Sequence, residues 1–232
     1  MSTVRIVLWA ALGLLVLSGA AFGLSELLHR DTHSRTVITG EVRRIVVHAD
    51  SGDVTIRAGL TSDVLVDRRE SYLLSRPSLR ERFGDGTLQV DAACSGLAGV
   101  LRCRTDLTID APPEVDVVVR TDAGDVDLRG LTGRADVQTG SGDIRTHRLE
   151  PVVMRAHTDA GDVSLDLFGQ PARTEAHSDA GNVRVVVPYG PYRIDAHAGA
   201  GNVTVDGVIR DDLAPQAIDA LADAGSITVR AR

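Results

Sequence analysis

Three histidines recur at an interval of about twenty residues in the C-terminal half of the chain, at His157, His177 and His197. If each interval is one turn of a stacked β structure, equivalent residues lie about 4.8 Å apart along the stack. That spacing would let neighbouring imidazoles share a metal ion, with Glu175 and Asp195 on the same strand face as ligands or orienting groups. A flat ladder does not by itself create the tetrahedral geometry that zinc prefers. The histidines are therefore a candidate metal site, and the alternative interpretation is polar surface residues copied with the repeat.

Carboxylates form a second group with possible chemistry, because Asp residues stand beside the glycine in most copies of a short motif such as Asp159-Ala160-Gly161-Asp162. A row of such corners could bind calcium, but the calcium-binding pattern G-G-x-G-x-D is absent. A glycosidase would need two carboxylates grouped on one face. Here the carboxylates follow the repeat period, as in Asp122, Asp125, Asp159, Asp162 and Asp179. This distribution predicts turn chemistry, since Asp and Asn side chains bond neighbouring backbone groups.

Other catalytic patterns are missing from the sequence. There is no G-x-S-x-G or H-E-x-x-H, and a phosphate-binding P-loop is impossible because all 25 basic residues are Arg. The excess of 32 acidic over 25 basic residues disfavours nucleic-acid binding. We expect no catalytic residues, no cofactor and no nucleic-acid partner.

The chain has two cysteines, Cys94 and Cys103. Their spacing does not fit a C-x-x-C redox or zinc motif, and they lie close enough in sequence to staple a short excursion. The N-terminal apolar run, Ile6 to Leu24, is a candidate export segment. Together with it, two such cysteines predict one structural disulfide in an oxidising compartment.

The elements that would position these residues are short repeats centred on a glycine. Each copy has Asp, Asn or Ser after the glycine and then Val or Ile, with apolar and polar residues alternating on both sides. This pattern predicts strand, tight turn and strand, with the glycine at a positive φ. The residue three before each glycine is small, which suits a thin core. The predicted turn glycines are Gly52, Gly124, Gly142, Gly161, Gly181, Gly201 and Gly225.

We predict an all-β fold in which each repeat of about 20 residues is one coil of a β-solenoid, similar to a single-stranded β-helix. Matching residue types at equivalent positions favour stacking in register, so the glycines from Gly124 to Gly225 should form one continuous column. The alternative is a β-sandwich whose repeats are antiparallel hairpins.

The sequence divides into three parts. Residues 1–28 contain an uncharged apolar run, Ile6 to Leu24, which predicts a single transmembrane anchor, or alternatively a cleaved signal peptide. Basic residues on both sides leave the membrane orientation undecided. Residues 29–38 are predicted as a linker and residues 39–232 as the repeat domain, with an irregular part at 60–113. The charged run Asp67 to Glu70 is either a binding patch or a solvated face.

The export segment, the cysteine pair and the recurrent [ST]-D-A-G-[DN]-V-x-[VL] corners together resemble the putative-adhesin family of bacterial β-strand-repeat proteins. The resemblance covers residues 39–232 and implies an exported or membrane-attached solenoid without catalytic residues. We therefore expect a non-enzymatic, extracytoplasmic adhesin or envelope scaffold, with a protein or cell-wall polysaccharide ligand. The alternatives are a carbohydrate-active β-helix enzyme and an envelope-stress sensor.

Overall fold

The computed structural model describes residues 30–72, 76–94 and 103–232, which form strands joined by turns. Within those ranges, no helix has the length and apolar character needed to cross a bilayer. The predicted anchor, Ile6 to Leu24, lies outside the described residues, so the structure leaves this prediction untested.

Twenty strands make up the described part of the chain. In chain order they are β1 (Arg30–Ile38), β2 (Arg44–Ser51), β3 (Val54–Ala58), β4 (Val64–Tyr72), β5 (Ser78–Gly84), β6 (Thr87–Ala93), β7 (Arg104–Ala111), β8 (Asp116–Ala123), β9 (Val126–Arg129), β10 (Ala135–Ser141), β11 (Ile144–His147), β12 (Val153–Ala160), β13 (Val163–Asp166), β14 (Arg173–Ala180), β15 (Val183–Val187), β16 (Pro191–Ala200), β17 (Val203–Asp206), β18 (Ile209–Arg210), β19 (Ala217–Ala224) and β20 (Ile227–Ala231).

The strands form two ten-stranded sheets, and each regular coil contributes one strand to each sheet. One sheet has the order β1-β4-β7-β3-β9-β11-β13-β15-β20-β17, and the other has the order β18-β16-β19-β14-β12-β10-β8-β2-β6-β5. Coils pair in parallel and in register, so that Ala156 lies beside Ala176. This arrangement is the predicted solenoid, and the alternative of antiparallel hairpins is wrong for the regular repeats.

The core is a thin layer between the two sheets, filled by every second residue of each strand. Val163 and Leu165 in β13 have no exposed surface, and complete burial of such a side chain stabilises the fold by about 1.5–3 kcal/mol. Close to the corners the inward residues are small, and Thr158 and Ser178 are fully buried. The sheets can therefore converge at the turn, as the small residues predicted.

The corner glycines form the predicted continuous column. Gly161 has a φ of 146°, which residues with a Cβ rarely adopt. A Cβ on Gly161 would also overlap the backbone carbonyl of Gly142 in the neighbouring coil. The corner therefore needs glycine both for its backbone conformation and for the close approach of the next coil.

The coils do not stack in the order in which the chain makes them. The last coil, β19–β20, lies between β14–β15 and β16–β17, and the coil β6–β7 lies outside β2–β3. The column of glycines therefore passes from Gly181 to Gly225 and then to Gly201. Equivalent positions carry similar residue types, so a permuted order buries the same kinds of inward side chain as a sequential one.

One end of the stack is closed by antiparallel strands, where β1 pairs with β4 and β5 pairs with β6. Residues 30–38, predicted as part of a linker, form β1 because they can pair along the whole of β4. The charged run of β4 is neither a free patch nor fully solvated. Asp67 contacts His33 and Arg35, and Glu70 is buried against Arg76.

The opposite end of the stack is open. The strands β16 and β17 form the outermost regular coil, and among the described residues only the two-residue strand β18 pairs beyond it. Inward positions that are fully buried in other coils are partly exposed here, and Val203 has 41% of its surface accessible. Ile194 and Val205 are likewise only partly buried. The terminal coil thus leaves an apolar edge without a covering layer.

Candidate functional site

The corner carboxylates form a hydrogen-bonded ladder along the stack. In each coil the side-chain oxygen of the residue after the glycine position accepts a bond from the backbone N–H of its counterpart in the next coil. The distances are 2.7–3.2 Å. The acceptors, in spatial order, are Asp106, Asp53, Asp125, Asp143, Asp162, Asn182 and Ser226.

Arginines separate the like charges of this ladder. Arg145 bridges Asp125, at 2.7 Å, and Asp143. Arg104 makes the equivalent bridge between Asp53 and Asp106. A backbone hydrogen bond from Asp143, together with the pairing to Arg145, holds the pKa of the Asp125 carboxyl below its usual range.

These contacts give the carboxylates that follow the glycine position, such as Asp125 and Asp162, the turn role that the sequence predicted. One oxygen of Asp125 is bound to a backbone N–H and the other to a guanidinium. Calcium would have to displace both partners, and a glycosidase would need a carboxylate free to exchange a proton. The ladder therefore supports neither the calcium interpretation nor the enzymatic one.

Sequence reasoning missed one corner and a second ladder. By register, Thr105-Asp106-Leu107 of β7 takes the place of Gly-Asp-Val beside Gly52, and the absence of glycine hid it. Buried hydroxyls also link coils, since Thr158 donates to the carbonyl of Gly142 at 2.9 Å. Alignment on the Asp-apolar pair instead of the glycine would have found the missing corner.

The histidine column is only partly as predicted. The register places His157 beside His177, but the residue beyond His177 is Leu221, and His197 follows Leu221. The prediction of three consecutive histidines is wrong, because the inserted coil β19–β20 separates His197 from the other two. His197 lies on the outermost coil, away from the pair.

His157 and His177 lie side by side on the outer face of β12 and β14, with ring centroids 4.6 Å apart and ring planes tilted by 53°. Nε2 of His157 lies 3.0 Å from Oδ1 of Asp159, and Nε2 of His177 lies 3.1 Å from Oδ1 of Asp179. The first pair is an aligned hydrogen bond. The second has the distance but not the alignment, and Nε2 of His177 is buried without a hydrogen-bond partner. Each histidine and its aspartate share a strand face because side chains alternate with a period of two.

Donor atoms of His157, His177 and Asp179 all lie within 4.8 Å of one another. The predicted ligand Glu175 is not among them, because Arg155 and Arg173 bind its carboxylate. Two imidazoles and one carboxylate are the donor set of many zinc sites. The residues present therefore fit a divalent metal, with ligands partly different from those predicted.

Cys94 and Cys103 are joined by a disulfide, as predicted. The bond connects the residue after β6 to the residue before β7. It therefore joins the two strands of this coil covalently, across a sequence separation of 9 residues.

The fold and part of the sequence are similar to those of known proteins. The family model described as Toastrack DUF4097 matches residues 39–197. A solved structure of a putative cell adhesion protein from Clostridium sporogenes is 13% identical, with a TM-score of 0.52 over 88% of this chain and 100% of that one. A putative adhesin from Bacteroides fragilis is 14% identical, with a TM-score of 0.52 over 88% of this chain and 97% of its own. No curated protein matches the chain in sequence.

Proposed function

The chain belongs to the Toastrack DUF4097 family, and from this starting point we propose that it is a non-enzymatic interaction module of the cell envelope. In this proposal the N-terminal apolar segment, residues 6–24, holds the protein in the membrane as a single-pass anchor. The solenoid projects outside the cytoplasm as an adhesin or scaffold. The similarity in fold to a putative cell adhesion protein and a putative adhesin supports this class of function.

The observation that carries the proposal is the difference between the two ends of the stack. The chain enters at β1, on the closed end, where charged strands such as β5 block further pairing. The open end lies at the far side of both sheets, and β17 has no strand on its outer side among the described residues. An anchor at residues 6–24 would thus leave the open end free to reach a partner.

The partner that best fits the open end is an extended segment of another envelope protein. Such a segment can add to the edge of β17 by backbone hydrogen bonds and cover the part-exposed apolar positions Val203 and Val205. A polysaccharide offers no comparable row of backbone donors and acceptors. The protein ligand is therefore favoured over the cell-wall polysaccharide.

The location outside the cytoplasm is supported by two features. The apolar segment precedes the first strand, and the disulfide between Cys94 and Cys103 is of a kind that persists in oxidising compartments. The carboxylates of the corner ladder are engaged in structural bonds, which supports a role without catalysis.

The test is site-specific photocrosslinking of the full chain in its native envelope. A crosslinker at Val203 should capture a defined protein, and the same crosslinker at Arg184, exposed on the flank of β15, should not. Val203→Lys should abolish the capture without unfolding the chain, because the position is already part-exposed. Equal capture at both positions, or capture of none, would contradict the proposal. So would polysaccharide turnover that a single Asp substitution abolishes, since that result would identify an enzyme.

A further inference from the structure

We propose that His157, His177 and Asp179 form a binding site for one zinc ion on the outer face of β12 and β14. This site is separate from the open end and goes beyond the proposed interaction function. Their donor atoms lie within 4.8 Å of one another, without any backbone rearrangement. In tetrahedral zinc sites the ligand atoms lie about 2.0–2.2 Å from the metal. The two rings and the carboxylate would rotate to bring their donor atoms to that distance.

The free donor at this site is the Nε2 atom of His177. It is buried and makes no aligned hydrogen bond, although Oδ1 of Asp179, itself a proposed ligand, lies 3.1 Å away. A buried polar atom without a partner is costly, and a metal ion would satisfy it. Nε2 of His157 donates a hydrogen bond to the carboxylate of Asp159, so this second carboxylate can orient the first ring. The site thus has three ligands, one orienting group and an open fourth position.

The charges around the site suit a cation. The neighbours in the same column are Gln138 on one side and Leu221 on the other, and neither carries a charge. The nearest arginine on these strands, Arg155, is bound to Glu175 at 3.1 Å. Two aspartates therefore face the site while the adjacent guanidinium is already neutralised.

The repeat explains why the site occurs at this place. Two consecutive copies of the motif read His-Thr-Asp-Ala-Gly and His-Ser-Asp-Ala-Gly, and parallel pairing in register puts like residues side by side. His48 lies between Asp91 and Arg120, and His197 lies beside Leu221. Among the described residues, His157 and His177 are the pair at which two His-containing motifs lie on adjacent strands.

The test is calorimetric titration of zinc chloride into the full chain, purified without a histidine tag, together with its thermal unfolding. We expect one zinc per chain and a rise in melting temperature that a chelator reverses. His177→Ala should remove both effects, and Asp179→Asn should weaken binding about tenfold or more. The matched control is His197→Ala, which removes a histidine from the same column and should bind zinc as the unmodified chain does.

Two results would overturn the proposal. The first is a titration of the unmodified chain without heat or change in melting temperature. The second is equal loss of binding in His177→Ala and His197→Ala, which would mean that zinc binds histidines without regard to their neighbours. Circular dichroism of each variant without metal distinguishes loss of the site from loss of the fold.

Discussion

Contacts between neighbouring coils determine which residue types the corner positions of this chain tolerate. The corner glycine was predicted from its type alone, since a tight turn with positive φ favours it. The structure adds a second requirement, because the carbonyl of Gly142 occupies the space that a side chain on Gly161 would need. The sequence could not show this contact, which depends on how closely neighbouring coils approach.

Gly161→Ala should therefore destabilise the fold strongly, by about 3 kcal/mol or more, through backbone strain and the clash with Gly142. Gly84→Ala is the matched control, since nothing lies within 4 Å of a Cβ at that position. Val163→Ala, which leaves a small cavity, should cost about 2 kcal/mol and fall between them. Urea unfolding of the three variants measures this order. Equal midpoints for the two glycine variants would mean that the corner tolerates a side chain.

The contacts of the Asp125 carboxyl predict how the stability of the fold depends on pH. Its pKa is lowered in the folded chain, so its ionised form stabilises the fold above about pH 4, and that stabilisation is lost as the pH falls through the folded-state pKa. Asp125→Asn keeps an oxygen for the N–H of Asp143 but loses the charge that binds Arg145. The variant should be less stable at neutral pH and lose less stability on acidification. Unfolding followed from pH 2 to 7 measures this, and parallel curves for variant and unmodified chain would contradict it.

At the scale of the strand and the turn, the sequence predicted the strands of the regular repeats well and the irregular segments poorly. Period-two alternation predicted strands on both sides of Gly161, and both are present as β12 and β13. The strand β1 was predicted as a linker because its residues are polar, whereas pairing with β4 decides its structure. Polarity cannot exclude an edge strand, since one of its faces meets water.

Buried hydroxyls allow a test of the bonds between coils. Thr158 donates to the carbonyl of Gly142, whereas the hydroxyl of Thr121, at the equivalent corner position, is buried without a partner. Thr158→Val should cost about 1 kcal/mol, and Thr121→Val should be neutral or stabilising. Both substitutions conserve shape, so thermal unfolding compares the hydrogen bond alone. A larger loss for Thr121→Val would show that its hydroxyl has a partner after all.

For the whole molecule, the order of the coils is what the sequence could not predict. Each coil presents the same kinds of residue to its neighbours, so no column of side chains distinguishes a sequential stack from a permuted one. The permutation has chemical consequences, because it separates His197 from His177 and leaves β16 and β17 at the open end. The proposed interaction surface depends on that order, whereas the histidine pair of the proposed metal site is adjacent in either order.

Disulfide trapping measures the order of the coils directly. Three double-cysteine variants are compared under mild oxidation: His157 with His177, His177 with Leu221, and His177 with His197. The first pair is adjacent in either order and serves as the control. In the permuted stack His177 lies beside Leu221, while His197 is two strands away, about 10 Å, which is too far for a disulfide. The account predicts a crosslink in the first and second variants and none in the third. A crosslink between positions 177 and 197, with none between 177 and 221, would contradict it.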